Sequence, residues 1–294
     1  MNPKLLGRNK WFDVFNYSFL ILLAFLCIAP VIHVWAISLS SSGEAASGSV
    51  YLWPVKFSYY SYEYILKNNE FFDSFFITLK RATLGTLISL SLVVLTAYPL
   101  SKDNQIFRFR TLYSWYFVFT ILFHGSFIPW YLVIHWTGIM DTIWALVLPG
   151  AVQVFNVILL LNFFRGLPKE LEESAFMDGA GHLTTLIRIY LPLSLPALAT
   201  LMLLTIVWHW NTWFDGLVLM NVPEHYPLST YLQTIIVQGD FSSLNSKEVE
   251  RLAEMSDRTV KASQIFLGAL PIILVYPFLQ KYFIKGLVMG SVKE

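Results

Sequence analysis

Six stretches of this chain are so long and so apolar that only a lipid bilayer, or a partner offering the same environment, can solvate them. They run approximately over residues 14–37, 79–100, 112–136, 143–164, 193–219 and 263–282. Crossing roughly 30 Å of hydrocarbon takes about 20 apolar residues in a helix, because each backbone polar group must find its partner inside the segment. The pattern predicts an all-α integral membrane protein with six transmembrane helices. Lys80 and Arg81 interrupt the start of the second stretch. Pro30, Pro129, Pro149, Pro271 and Pro277 fall inside the stretches and predict kinks, whose freed carbonyls neighbouring helices and water can satisfy. Trp11, Trp35, Trp115 and Trp136 sit at segment ends, as in the aromatic belts at headgroup level.

Composition narrows the function. Charged residues make up 13% of the chain, about half the usual share of a soluble domain. A net charge of +1 argues against nucleic-acid binding, which needs a basic surface to neutralise phosphates. Cys27 is the single cysteine, so an internal disulfide and a cysteine-built metal site are both excluded. Its place in the first apolar run reads as buried packing.

Six spans put both termini on one side, and the distribution of Lys and Arg selects that side. The amino end (Lys4, Arg8, Lys10), the second loop (Lys102, Arg108, Arg110), the fourth loop (Arg165, Lys169, Arg188) and the tail (Lys281, Lys285, Lys293) hold twelve of the 20. Four of the other eight lie in the long loop after the fifth span, which weighs less in setting orientation. Both termini are therefore expected in the cytoplasm. A competing reading makes the first span a cleaved signal, since Ala45-Ala46-Ser47-Gly48 follows it, but its apolar run exceeds the 7–15 residues usual for such signals.

The expected division is a segment 1–73, with the amino end, first span and a Ser- and Tyr-rich outer stretch, and a core 74–294 with five spans, an inner loop 165–192 and an outer loop 216–262. Within the outer loop, residues 245–260 carry Glu254 and Arg258 at i,i+4, a pattern suited to a short surface helix or to a solvated connector.

The chain has no G-x-x-x-x-G-K-[S/T] phosphate loop, no H-E-x-x-H and no G-x-S-x-G. Catalytic and metal-ligating residues are accordingly none, and His33, His124, His135 and His209 read as hydrogen-bonded or interfacial side chains. No cofactor is expected on this chain. The inner loop has a shape legible in its residues: Pro168 suits the first turn of a helix, Glu170, Glu172 and Glu173 lie near its positive end, and Gly179 or Gly181 ends it. A second short helix over 182–190 should stop at Leu191-Pro192. Ser174, Ala175, Gly179, Ala180 and Gly181 are small and close together, which permits close approach by a partner; an ordinary interfacial hairpin is the plainer alternative.

Glu173-Ser174-Ala175, then Gly179, then Ile189-x-Leu191-Pro192 resemble the E-A-A-x3-G-x9-I-x-L-P signature of bacterial ABC-importer permeases, with Ser174 in place of the second alanine. Ala97-Tyr98-Pro99-Leu100-Ser101-Lys102, Trp210-Asn211, and the tail from Leu270-Pro271 to Lys293 are similar to segments of the carbohydrate-uptake (maltose-type, smaller subunit) branch. Within it, the chain looks closest to permeases for complex or uronate-containing oligosaccharides, such as alginate or pectin fragments.

The resemblance implies a type I importer permease (MetI-like) fold with a cytoplasmic coupling helix, in the bacterial cytoplasmic (inner) membrane. It implies four partners besides membrane lipid: a second homologous permease, a cytoplasmic ATPase dimer that uses ATP and Mg, an extracytoplasmic solute-binding protein, and the carbohydrate. It assigns ATPase coupling to Glu172, Glu173, Ser174, Ala175, Asp178, Gly179 and Gly181, with the tail 286–293 as a secondary contact. Trp210, Asn211, Trp213 and Asp215 are candidates for the sugar pathway, because aromatic and amide groups on kinked spans suit sugars. Lys80 and Arg81 should face water or headgroups, since a charge deep in the bilayer costs about 2.5–3.5 kcal/mol. They either snorkel or stand at the outer mouth, attracting a carboxylated sugar. Permeation of peptides or other solutes, and a membrane-embedded enzyme, are the alternative functions.

Overall fold

The computed structural model describes residues 10–67, 69–123, 125–238 and 257–291. These are mainly helical, with no strand among the described residues beyond one isolated bridge, Ser40 to Phe57. Contacts divide the chain into two units, Met1–Asn69 with Thr234–Ala269, and Glu70–Gln233 with Leu270–Glu294.

In the first unit, α1 (Lys10–Ser38) is apolar on every face, and only 11% of its most apolar portion is buried. A helix with no polar stripe has no water-facing side, which is why it reads as a span. Cys27 is exposed on it, correcting the expectation of a packed cysteine: the apolar surface around it faces outward, not a protein core. The helix ends where Ser40 Oγ donates to Ala36 O at 2.7 Å and accepts from Val55 N–H at 3.0 Å. Beyond it, α2 (Ser42–Ser47) closes on Gly48 in the left-handed region, and α3 (Tyr60–Lys67) follows. Ala262 shares a core cluster with Ala36, Ile37, Ala45 and Val50, and Ser263 Oγ donates to Ser38 O at 3.3 Å. Residues from the end of the outer loop thus pack with the segment that sequence grouped as 1–73. The helix expected over 245–260 lies mostly outside the described residues.

The second unit is built on α4 (Asn69–Ser101). It begins ten residues before the expected span, and its 33 residues make about 50 Å. Its buried residues Ser74, Thr78, Arg81, Ala82, Gly85, Thr86, Ser89 and Val93 recur at helical spacing, a stripe of mostly small side chains interrupted by the large Arg81.

Three of the remaining expected spans are broken. The third divides into α5 (Arg110–Leu122) and α6 (Phe127–Trp136), bent by 115°. Pro129 falls in the first turn of α6, where its missing N–H costs nothing, so it starts a helix instead of kinking one. The fourth divides at Pro149-Gly150 into α7 (Ile143–Val147) and α8 (Val154–Arg165). After α9 (Lys169–Met177) the chain runs through α10 (His182–Leu193), which includes a π turn over Leu186–Tyr190, then bends by 80° at Ser194 into α11 (Leu195–Asn211). The stop expected at Leu191-Pro192 therefore comes at Ser194. The helices α12 (Phe214–Leu219), α13 (Leu228–Gln238) and α14 (Asp257–Ser291) complete the chain. By length and composition, three described helices can cross a membrane, or five if each bent pair is one span.

Where α4 meets α11, Gly85 lies against the fully buried His209 ring; a Cβ there would stand 2.3 Å from Nε2. Gly85→Ala should consequently lower stability by about 1–3 kcal/mol, the usual cost of overpacking. Thermal unfolding in detergent checks this, and Gly85→Ala combined with His209→Ala should recover part of the loss.

Candidate functional site

The charged loop folds as its residues dictate. Pro168 sits at the N-cap of α9, one position before the first turn, with Glu170 and Glu172 near the positive helix end. Gly179 adopts φ +81, donating its N–H to Phe176 O at 3.0 Å while Ala180 N–H reaches Ala175 O at 2.9 Å. This paired closure favours glycine because a side chain is strained at positive φ. Gly181 instead opens α10 at φ −83. Phe176 packs edge-on against His182 at 5.0 Å, folding α9 back on α10.

Beneath the loop lies a buried charged cluster. Lys102 follows directly on α4, and its Nζ is 2.7 Å from Glu172 Oε1. It donates to Tyr190 Oη at 2.9 Å, and Tyr190 O–H donates to Glu172 Oε2 at 2.7 Å. The ammonium also lies 4.1 Å from the ring centre of Tyr98 and 4.0 Å from that of Tyr190. The Lys102 and Glu172 side chains are 5% and 12% exposed, so the pair is shielded from water. Desolvation pulls the Lys102 ammonium below its ordinary pKa, and Glu172 opposes that shift. Around it, Arg165 Nη2 donates to Leu100 O at 3.1 Å and Arg110 Nη1 to Lys102 O at 3.2 Å. An exposed pair, Lys169 to Asp103 at 2.9 Å, lowers the Asp103 carboxyl's pKa and raises that of the Lys169 ammonium. Exposed pairs of this kind hold weakly.

The residues expected to act together at the loop therefore divide. Glu173, Ser174, Asp178, Gly179 and Gly181 are exposed, beside the exposed apolar side chains of Leu171, Met177 and Leu183. Glu172 and Ala175 turn inward and support them. Sequence reading missed Lys102 and Tyr190 as their partners, although both lie within the quoted motifs.

Twelve residues into α4, Arg81 is fully buried. This corrects the expectation that it faces water or headgroups: it forms a two-pronged pair with Asp215 and also donates to Thr212 O at 3.0 Å. Asp215 is fixed further by Gly216 N–H at 2.8 Å. Lys80 is exposed and lines a pocket of about 210 Å³ with Asp141, Thr142 and His225. Asp141 Oδ1 accepts from Asn221 N–H and lies 2.9 Å from His225 Nδ1; the Asn221 bond leads in lowering its pKa.

The pathway candidates also separate. Trp210 is buried edge-on against Phe75 at 5.9 Å and borders a wholly apolar cavity of about 420 Å³, an unsuitable surface for sugar hydroxyls. Asn211 and Trp213 line a shallow cleft with Trp208 and Phe214. Asp215 lies in a deeper cleft of about 340 Å³ with Trp208, Trp130, Phe127, Phe214 and Thr212. Trp208, Trp130, Phe127 and Phe214 were missed; their signal was aromatic density beside helix breaks. Among the described residues no group of three or more His, Cys, Asp or Glu converges on one point. His33 Nδ1 lies 2.7 Å from Tyr51 O and His135 stacks on Tyr131, while His124 lies outside the described residues.

Residues 93–288 match the family described as binding-protein-dependent transport system inner membrane component. The chain is 38% identical over 291 residues to the polygalacturonan/rhamnogalacturonan transport system permease protein YtcP of Bacillus subtilis (strain 168), covering 97% of this chain and 99% of that one. It is 37% identical over 285 residues to protein LplC of the same organism, covering 97% and 96%. Among solved structures, a chain of a bacterial ABC transporter involved in the import of the acidic polysaccharide alginate superposes with a TM-score of 0.87 at 32% identity, covering 96% of this chain and all of that one.

Proposed function

This chain belongs to the family of binding-protein-dependent transport system inner membrane components, and we propose that it forms half of the membrane pathway of an ATP-driven importer of uronate-containing oligosaccharides. A second, homologous permease supplies the other half. The spans number six when α7 and α8 count as one broken crossing alongside the three long helices and two bent pairs. Both termini lie in the cytoplasm, as the Lys and Arg distribution favours. A cytoplasmic ATPase dimer docks on loop 165–192, and an extracytoplasmic binding protein delivers the sugar from the opposite side. The observation that carries the coupling reading is the loop itself: small and apolar residues exposed beside Glu173 and Asp178, over a buried charged support.

Transport follows as alternating access. ATP closes the ATPase dimer, the loop conveys that movement to the helices, and the pathway opens outward; hydrolysis resets it. The chain's own residues bind and orient: Trp208, Trp130 and Phe214 offer faces on which sugar rings stack, and Asn211 offers an amide. The cargo is inferred from similarity over nearly the whole chain to a permease named for polygalacturonan and to a chain of an alginate transporter.

Lys80 gives this reading a charge test. Arg81 is neutralised by Asp215, so Lys80 is the one of the two with an exposed charge for a carboxylated sugar. Lys80→Gln should raise the half-saturating concentration of an acidic oligosaccharide by about two- to fivefold, the scale of one exposed ion pair, and leave a neutral one unchanged. Uptake into vesicles measures both; equal effects on the two would sink the assignment.

A further inference from the structure

We infer that α4 is a lever between the charged loop and the aromatic cleft, gripped at two points by buried ion pairs: Lys102–Glu172, just past its inner end, and Arg81–Asp215, twelve residues in from its start on the outer side. The inference rests on the importer reading, and it assigns these four side chains as positioning residues.

The geometry begins with one continuous helix. From Arg81 to Ser101, the last residue of α4, are 20 residues, about 30 Å of rise, close to the thickness of the hydrocarbon core. At the inner end, Glu172 from α9 holds Lys102 between two tyrosine rings, and Tyr190 from α10 bonds to both charges. On the outer side, Arg81 holds Asp215 and the Thr212 carbonyl, and both of these residues line the cleft with Trp208 and Trp130. Between the grips, Val93, Ala97 and Tyr98 are packed into a cluster with Leu160, Phe164 and Tyr190.

Parting either ion pair would strand a charge away from water, a cost of several kilocalories per mole. Exposed contacts such as Lys169–Asp103 separate at little cost. When the loop moves, the buried grips accordingly stay closed, and α4 moves with it. The same rigidity works in reverse, because coupling between two sites is reciprocal: a rearrangement of the cleft wall reaches the loop through Arg81.

Two substitutions far apart act independently unless something links them. That gives the test. In the reconstituted complex, ATP hydrolysis is measured with and without a binding protein loaded with a galacturonate oligosaccharide, per assembled complex. Lys102→Met/Glu172→Gln and Arg81→Met/Asp215→Asn each remove both charges of one grip and leave no stranded ion. Each should lower the stimulation by loaded binding protein about tenfold, and the fourfold variant should also lose about tenfold. A fourfold variant losing about a hundredfold would show two independent sites and overturn the lever, as would full stimulation in either pair variant. If the neutral pairs do not assemble, Lys102→Arg and Arg81→Lys keep the charge and alter its geometry. The expected losses are then about threefold singly and threefold together, with about ninefold together overturning the inference. Absence of stimulation in the unmodified complex would count against the importer reading itself, a result distinct from any pattern among the variants.

Discussion

Gly179→Asp should assemble in wild-type amounts yet respond to loaded binding protein with no more than about one-hundredth of the wild-type ATP hydrolysis. The fold tolerates the change: a Cβ at Gly179 meets nothing within 4 Å, and aspartate is among the few side chains that enter the left-handed region with modest strain. What changes is the outward surface, where Glu173 and Asp178 already place negative charge. A further carboxylate, desolvated on docking without a partner, opposes association by roughly 3 kcal/mol or more, which is about two orders of magnitude in an equilibrium. Gly179→Asn, nearly the same shape without charge, should retain most of the response. Measuring both separates charge from backbone strain, and normal stimulation of Gly179→Asp would remove this loop from the coupling surface.

Arg81→Met should cost about 3–5 kcal/mol of stability, because it leaves the Asp215 carboxylate mostly buried beside an apolar side chain. Thermal unfolding of the detergent-solubilised complex reads the loss. Adding Asp215→Asn should restore most of it, since the amide can still accept from Gly216 N–H and no unpaired charge remains. Stability and function then diverge: the double variant regains its fold while losing the stimulated hydrolysis that the lever transmits. A single variant as stable as the unmodified chain would mean that the buried ion pair does not exist in the membrane.

The positions of the apolar stretches were legible because insertion into lipid depends on composition over about 20 residues. Their breaks were less legible. A proline within an apolar run reads the same whether it kinks a helix or begins one, and Pro129 falls in the first turn of α6 because α5 has already ended at Leu122. Arg81 and Lys80 are neighbours in sequence but lie about 100° apart around the helix. The stripe Thr78, Arg81, Ala82, Gly85, Thr86, Ser89 was present in the sequence, and its small residues marked the packed face on which Arg81, not Lys80, falls.

The loop shows the same limit. Its helix, its glycine stop and its small residues follow from local chemistry, whereas the inward turn of Glu172 depends on Lys102, 70 positions away. Long-range pairing of two charges cannot be read from either one alone. The motif ending at Lys102 and the one beginning beside Glu172 were visible separately; the fold is what joins Ala97–Lys102 to the segment 172–192 through Tyr98, Glu172 and Tyr190.

The central claim is that this chain is half of a sugar pathway driven through its inner loop. The most direct test is uptake of labelled oligosaccharides into sealed vesicles containing the reconstituted complex, with ATP on the loop side and loaded binding protein on the other. ATP-dependent accumulation of a galacturonate or related uronate oligosaccharide, lost in Gly179→Asp and absent for peptides, is the expected result. Accumulation of peptides instead, or sugar uptake that persists without ATP and is unchanged in Gly179→Asp, would contradict it.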